Sequence, residues 1–151
     1  MSDLTQVTVE PRPSAAEVNV VISGLRAFNV DFIGDPGEEP VHVFVRDGAG
    51  AVVGGLIGHI RWRWLYVSKL WVAATHRGRG HGAALIAAGE EHARARGCLG
   101  VHLDTFEFQA RPFYEKLGYT LFGTLDNYPP GFRQYHFAKH FTSAPGGNPT
   151  V

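Results

Sequence analysis

Glycines at 78, 80 and 82 stand between an apolar stretch and an Ala-rich one, within Leu70-Trp71-Val72-Ala73-Ala74-Thr75-His76-Arg77-Gly78-Arg79-Gly80-His81-Gly82-Ala83. A strand must therefore run through a glycine turn into a helix, which fixes an α/β character for this part of the chain. The first turn of such a helix has N–H groups without intrahelical acceptors, the helix dipole makes that end positive, and glycines let an anion approach the main chain closely. Arg77 and Arg79 add positive charge locally. The whole chain has none to spare: 14 Lys and Arg balance 14 Asp and Glu. Long-range attraction to nucleic acid or to an anionic membrane is therefore not expected. The segment suits a phosphate, although glycines at this spacing also serve as a plain turn flanked by solvated arginines. Two familiar phosphate loops do not fit, because Leu85 stands where a dinucleotide loop needs glycine and no Lys-Ser or Lys-Thr pair follows.

With 151 residues, 44% of them hydrophobic, the chain is sized for one core. The expectation is a single domain over 1–141 and a Pro- and Gly-rich flexible tail over 142–151. Leu4 to Glu10 alternates and reads as a short strand. Ser14 and Glu17 form a capping-box pattern for a helix that fades near Asn29. Gly34 to Pro40 reads as an acidic surface loop. Val41 to Arg46 and Val52 to Arg61 form a hairpin across Asp47-Gly48-Ala49-Gly50, and Trp64 to Ala73 completes a meander. A helix over Ala83 to Arg96 offers Leu85, Ile86, Ala88 and Ala93 for packing. Then come a strand at Leu99, Val101 and Leu103, a short helix from Ala110 to Leu117, and strands at Tyr119 to Leu125 and Gln134 to Ala138. The predicted order is β-α-β-β-β-α-β-α-β-β, a mixed α/β fold whose central sheet has about seven mostly antiparallel strands. Cys98 stands alone, so no intramolecular disulfide or Cys-rich zinc site can form, and no metal ligand set is evident. No stretch is apolar enough for a signal or a membrane span, and a cytoplasmic protein is expected.

Arg77-x-x-Gly80-x-Gly82, following Leu70-x-Val72, resembles the acyl-CoA signature of the GNAT superfamily of N-acyltransferases. Ala110-Arg111-Pro112-Phe113-Tyr114-Glu115-Lys116-Leu117-Gly118-Tyr119 is similar to the second signature of that family. The two together span Lys69 to Tyr119, and the element order extends the likeness over Leu4 to Lys139. The resemblance implies acetyl-CoA as co-substrate, with its pyrophosphate on the main chain of Arg77, Gly78, Arg79, Gly80, His81, Gly82 and Ala83 and its pantetheine arm beside Leu70 and Val72. It implies that the strands over Leu70 to Ala73 and Val101 to Thr105 splay apart, and that the Val72 N–H polarises the thioester oxygen. Two departures from the family pattern stand out: Glu107 occupies the place of an Asn that would touch the cofactor, and Ala74 that of a common Pro.

Acyl transfer to an amine by direct attack passes through a tetrahedral species, which requires loss of an amine proton, an oxyanion stabiliser and an acid for the departing thiolate. Tyr114, by periodicity alone a core aromatic, resembles the family's proton donor to sulfur. For the base, Asp104 and Glu38 rank ahead of Glu39, His59 and His102. The acidic residues Asp35, Glu38, Glu39 and Glu107 favour a cationic acceptor, the primary amine of a small molecule. The loop near Phe28 to Pro40 and the turn Asp126 to Phe132 are expected to shape its pocket, and Trp62, Trp64, Tyr66, Phe106 and Phe108 could line a slot. Trp62 and Trp64 are expected on one sheet face which, if open, could support a homodimer. Three other readings remain: a CoA-binding regulatory module without transfer activity, a protein N-terminal or lysine acetyltransferase, and a nucleic-acid binder using Arg61 to Arg63, Arg77 and Arg79.

Overall fold

A computed structural model describes residues 4–142, so all but the first residue of the predicted tail lies outside the described residues. The chain divides at Pro36/Gly37 into two compact units. The first holds α1 (Ala15–Ile33). Its start follows from the capping box: Ser14 Oγ accepts from the Glu17 N–H at 3.2 Å while Glu17 Oε2 accepts from the Ser14 N–H at 2.7 Å. The helix runs past Asn29, with Phe28 and Phe32 stacked one turn apart, and stops at Gly34, whose φ of 84° only glycine adopts freely. No residue of α1 is buried. The strand expected over Leu4 to Glu10 does not form, and Leu4, Val7 and Val9 are fully exposed. Alternation alone makes no strand, because its amides need a neighbouring ladder and none of the described strands pairs with this segment.

The second unit contains β1 (Glu39–Arg46), β2 (Val52–Arg61), β3 (Trp64–Val72), a 3-10 turn at Ala74–His76, α2 (His81–Ala95), β4 (Gly100–Phe106), α3 (Arg111–Lys116), β5 (Thr120–Asp126) and β6 (Arg133–His140). These form a sheet of six strands in the order β1-β2-β3-β4-β6-β5. All neighbours are antiparallel except β3 and β4, which α2 joins as a parallel crossover. Trp62 and Arg63, with φ of 44° and 62°, form the β2–β3 turn. Trp62 therefore leaves the strand and does not share a sheet face with Trp64 as expected.

One face of the sheet is the core, where Leu56, Leu65, Val101, Leu103 and Phe137 are almost inaccessible. Against it α2 turns Leu85, Ile86, Gly89, Glu90 and Ala93. Gly89 takes the place expected for Ala88, which is exposed, because Leu56 Cδ1 lies 3.2 Å from where a Cβ would stand. The lone Cys98 is buried beside this core.

Buried Glu90 has its own partners. Lys139 Nζ donates to both its oxygens at 3.1 Å and to the Leu117 carbonyl at 2.9 Å, while Tyr119 Oη donates to Oε1 at 3.0 Å. The cluster fastens α2, the end of α3 and β6 together. Removing one member of a buried pair leaves the other charge uncompensated. Lys139→Met should therefore lower stability by about 2–4 kcal/mol, and Lys139→Met with Glu90→Gln should recover part of that loss, as read from urea unfolding at pH 7.

Candidate active site

The parallel pairing of β3 with β4 covers only Trp64↔Gly100 through Val67↔Leu103. A bulge follows: Ile57 pairs with Lys69 and Gly58 with Val67, so Ser68 is the extra residue, and its hydroxyl donates to the Ile57 carbonyl at 3.0 Å. Bulges bend the strand that carries them. Beyond this point Lys69–Val72 pairs only with β2 and Asp104–Phe106 only with β6. Two strands inside the sheet thus part into a V.

Antiparallel ladders alternate between residues that exchange hydrogen bonds and residues that do not. The Ala73 N–H donates to the Val53 carbonyl at 2.8 Å, so the main-chain groups of Val72, and by the same phase Leu70, point away from β2 and into the V. Arg77 Nε donates to the Val72 carbonyl at 2.9 Å. The Val72 N–H faces the gap without a partner among the described residues.

The glycine loop closes the upper end. Gly78 and Gly80 have φ of 73° and 81°, and Gly80 stands at the N-cap of α2 with no side-chain cap. The first intrahelical bond is Ala84 N–H to Gly80 O, and among the described residues the amides of Gly78 to Ala83 find no acceptor outside the helix. Gly82 has a packing reason as well, since a Cβ there would sit 3.3 Å from the Phe113 ring. The V and the loop enclose a cleft of about 860 Å³ lined by Leu70, Val72, Arg77, Gly78, Gly80, His81, Gly82 and Ala83, with Asp104 and Tyr114 on the side of β4 and α3. Sequence reasoning missed Thr105, Phe113 and Gln109, which share that lining.

Tyr114 is buried, its ring packed among Phe113, Tyr119 and Phe137. Its hydroxyl reaches the cleft and makes no hydrogen bond among the described residues. Burial first, and the Asp104 charge second, push the phenol up to about 12. Asp104 accepts from Tyr66 Oη at 2.7 Å and from Gln134 Nε2 at 3.2 Å. That hydrogen bond, with burial and the carboxylate charge behind it, raises Tyr66 to about 12 as well. His102, one residue along β3–β4 pairing from the V, is lowered by burial and by the nearby His59.

Three expected site residues lie elsewhere. Glu38 contacts Arg61 at 3.6 Å, next to the Glu39↔Ile60 pair and the β2–β3 turn. That is the opposite end of β3 from the cleft, and Glu39 is likewise held there by His92 and Arg96. Glu107 is exposed in the turn after β4, its N–H spent on the Arg133 carbonyl. The side chain at the cleft is Gln109, whose Oε1 accepts from Thr105 Oγ1 and the Phe106 N–H. Arg79 is exposed and outside the lining, although its neighbours Gly78 and Gly80 belong to it. Arg61 and Arg63 are engaged within the chain, over the Trp62 ring and on the Gly97 carbonyl. No group of metal-ligating side chains occurs among the described residues, and no described helix is long and apolar enough to cross a membrane.

A mixed sheet opened between parallel neighbours thus forms a cleft with a capless helix start at one end and a phenol at the other. Residues 10–119 match the acetyltransferase (GNAT) family, and the chain belongs to it. It is an acyl-CoA-dependent N-acetyltransferase by that membership. Over 91 residues, 60% of this chain and 67% of the other, it is 45% identical to a blasticidin-S acetyltransferase of Streptomyces morookaense. The fold matches the crystal structure of an acetyltransferase from Agrobacterium tumefaciens with a TM-score of 0.83 at 31% identity, covering 91% of this chain and 100% of that one. A streptothricin acetyltransferase from Bacillus anthracis, solved with acetyl coenzyme A, shares the fold at a TM-score of 0.63 and 21% identity, over 74% of this chain and 68% of that one.

The coupling between Asp104 and the two phenols can be measured. Asp104→Asn removes both the charge and the strong acceptor, so Tyr66 should fall back toward about 10. Tyr114, raised mainly by burial, should stay high. Tyrosine-ring NMR through an alkaline titration separates the two, and an unmoved Tyr66 would show that the hydrogen bond is not made in solution.

Proposed function

We propose that this chain transfers an acetyl group from acetyl-CoA to the primary amine of a small molecule. The observation that carries the reading is the V between β3 and β4, with inward-facing main-chain groups on one wall and the free Tyr114 hydroxyl on the other. The unpaired amides from Gly78 to Ala83 suit a pyrophosphate, and an extended amide-bearing chain such as pantetheine suits the edges of Leu70 and Val72. The Val72 N–H is the donor available for a thioester oxygen, a role whose loss costs about 3 kcal/mol in comparable sites. The name of one relative, a blasticidin-S acetyltransferase, supports a small-molecule acceptor.

In this reading a neutral amine attacks the thioester carbon, forming the C–N bond and a tetrahedral oxyanion; the C–S bond breaks as that species collapses, and one proton passes overall from nitrogen to sulfur. Nitrogen becomes strongly acidic as it bonds to carbon, and Asp104 is the carboxylate in the cleft able to accept its proton. Glu38 has no part, being at the far end of the sheet. Tyr114 acts on sulfur, but with a limit set by its acidity. A phenol at about 12 is a weaker acid than an alkyl thiol near about 8.5, so full transfer is uphill by ~3.5 units, about 5 kcal/mol. Its work is to donate a hydrogen bond to the thiolate as charge develops there, with the proton itself arriving from the acylated nitrogen.

The test is calorimetry with acetyl-CoA, followed by a panel of small amines with detection of free thiol. Tyr114→Phe should lower kcat by roughly 10²–10³ while leaving CoA affinity within about twofold. In the unaltered protein kcat/KM should rise with pH toward the pKa of the acceptor amine. It should show no alkaline fall up to pH ~10, because the phenol keeps its proton below about 12. A descending limb between pH 8 and 10 that vanishes in Tyr114→Phe would contradict this assignment.

A further inference from the structure

At Phe106 the cleft borders a cluster of rings that the transfer chemistry does not use. Phe106 lines the cleft on the same face of β4 as Asp104. Its ring stacks on Phe108, with centroids 5.6 Å apart and planes 20° apart, and meets Tyr128 edge-on at 5.6 Å. Phe108 meets Phe132 edge-on at 5.0 Å. These rings are not sealed in a core: Phe108 is 58% exposed, Tyr128 49% and Phe132 46%. An exposed patch of this size on a rigid frame invites a partner.

The frame is rigid for identifiable reasons. Tyr128 and Phe132 belong to the β5–β6 turn, which closes on itself through the Tyr128 N–H to the Phe132 carbonyl at 3.2 Å and the Phe132 N–H to the Pro129 carbonyl at 2.8 Å. The Arg133–Asp126 ion pair at 3.0 Å holds its base. Phe108 is fixed by the turn in which the Glu107 N–H reaches the Arg133 carbonyl and the Gln109 N–H the Phe106 carbonyl. A ligand ring would find these surfaces already in place and would not have to order a loop.

Asp104 supplies the complementary charge. A carboxylate has about four acceptor sites, and Tyr66 and Gln134 use two here. The remainder can receive an amine. Resting on the transferase reading above, we infer that the acceptor carries its amine on a planar aromatic or heteroaromatic ring, the ring seated on Phe106, Phe108, Tyr128 and Phe132 and the amine turned toward Asp104. Ring-on-ring contacts add stabilisation beyond the area they bury, which an aliphatic chain of equal size cannot gain. Aliphatic amines should reach Asp104 but lose this anchor.

The experiment compares acceptors of equal charge with and without a ring, benzylamine and an aminomethylpyridine against n-pentylamine and n-hexylamine, with acetyl-CoA saturating. The ring amines should show kcat/KM at least tenfold higher. Phe108→Leu and Phe132→Leu, both at exposed positions, should each raise KM for the ring amines about fivefold to tenfold while changing neither their kcat nor the KM of pentylamine. Equal kcat/KM for ring and aliphatic amines, or a uniform fall for all amines in the two variants, would overturn the ring site and leave the transferase reading standing. Should no amine turn over, the transferase reading fails, and the ring site is decided separately. Benzylamine titrated into the CoA-saturated protein must then shift the Phe108 and Phe132 ring signals by NMR, and unmoved signals would reject it.

Discussion

Two neighbouring strands that stop bonding halfway along their length set everything else in this protein. Main-chain groups inside a sheet are normally paired, and an unpaired one away from water is costly. Here the register of β3 and β4 ends at Val67 and Leu103 because the Ser68 bulge turns β3 aside. The rest of the architecture accommodates the opening. On the outer side of each strand the ladder is intact, β2 holding Lys69 to Val72 and β6 holding Asp104 to Phe106. Beneath it, the Glu90–Lys139–Tyr119 cluster ties α2 and α3 to β6. The gap is thus a property of a well-braced frame, and its exposed groups keep their places.

Arg77 shows how the opening acquires a direction. By donating to the Val72 carbonyl it uses one of that oxygen's two acceptor sites, while the Val72 N–H has no partner among the described residues. An edge biased in this way toward donation favours a ligand oxygen. The asymmetry of the wall therefore comes from one side chain reaching back across the 3-10 turn, and the glycines that follow supply donors only, since their N–H groups head the helix. Donors on one side face a phenol and a carboxylate on the other, which is the polarity that moving an acyl group from sulfur to nitrogen demands.

Features governed by neighbours in sequence were legible, and those set by long-range register were not. The glycine loop, the capping box at Ser14 and the short helix carrying Tyr114 depend on residues within one or two turns of each other. Glu38 looked like a candidate base because it is acidic and lies in a loop, but its place follows from Glu39 pairing with Ile60, and the sequence alone does not fix that alignment. Leu4 to Glu10 alternates without a ladder to join. Glu107 and Gln109 differ by two residues within one turn, and only the fold of that turn decides which reaches the cleft. The ring cluster joins the end of β4 to a hairpin about twenty residues later, beyond the reach of any periodicity.

Cys98, the lone sulfur nucleophile of the chain, is buried, and burial pushes its thiol up. Thiol–disulfide exchange needs an accessible thiolate. A reaction that releases a free thiol at each turnover would otherwise expose its own catalyst to mixed-disulfide formation once that product is oxidised. With Cys98 packed against the core, the protein presents oxidised coenzyme with no accessible thiolate to attack its disulfide.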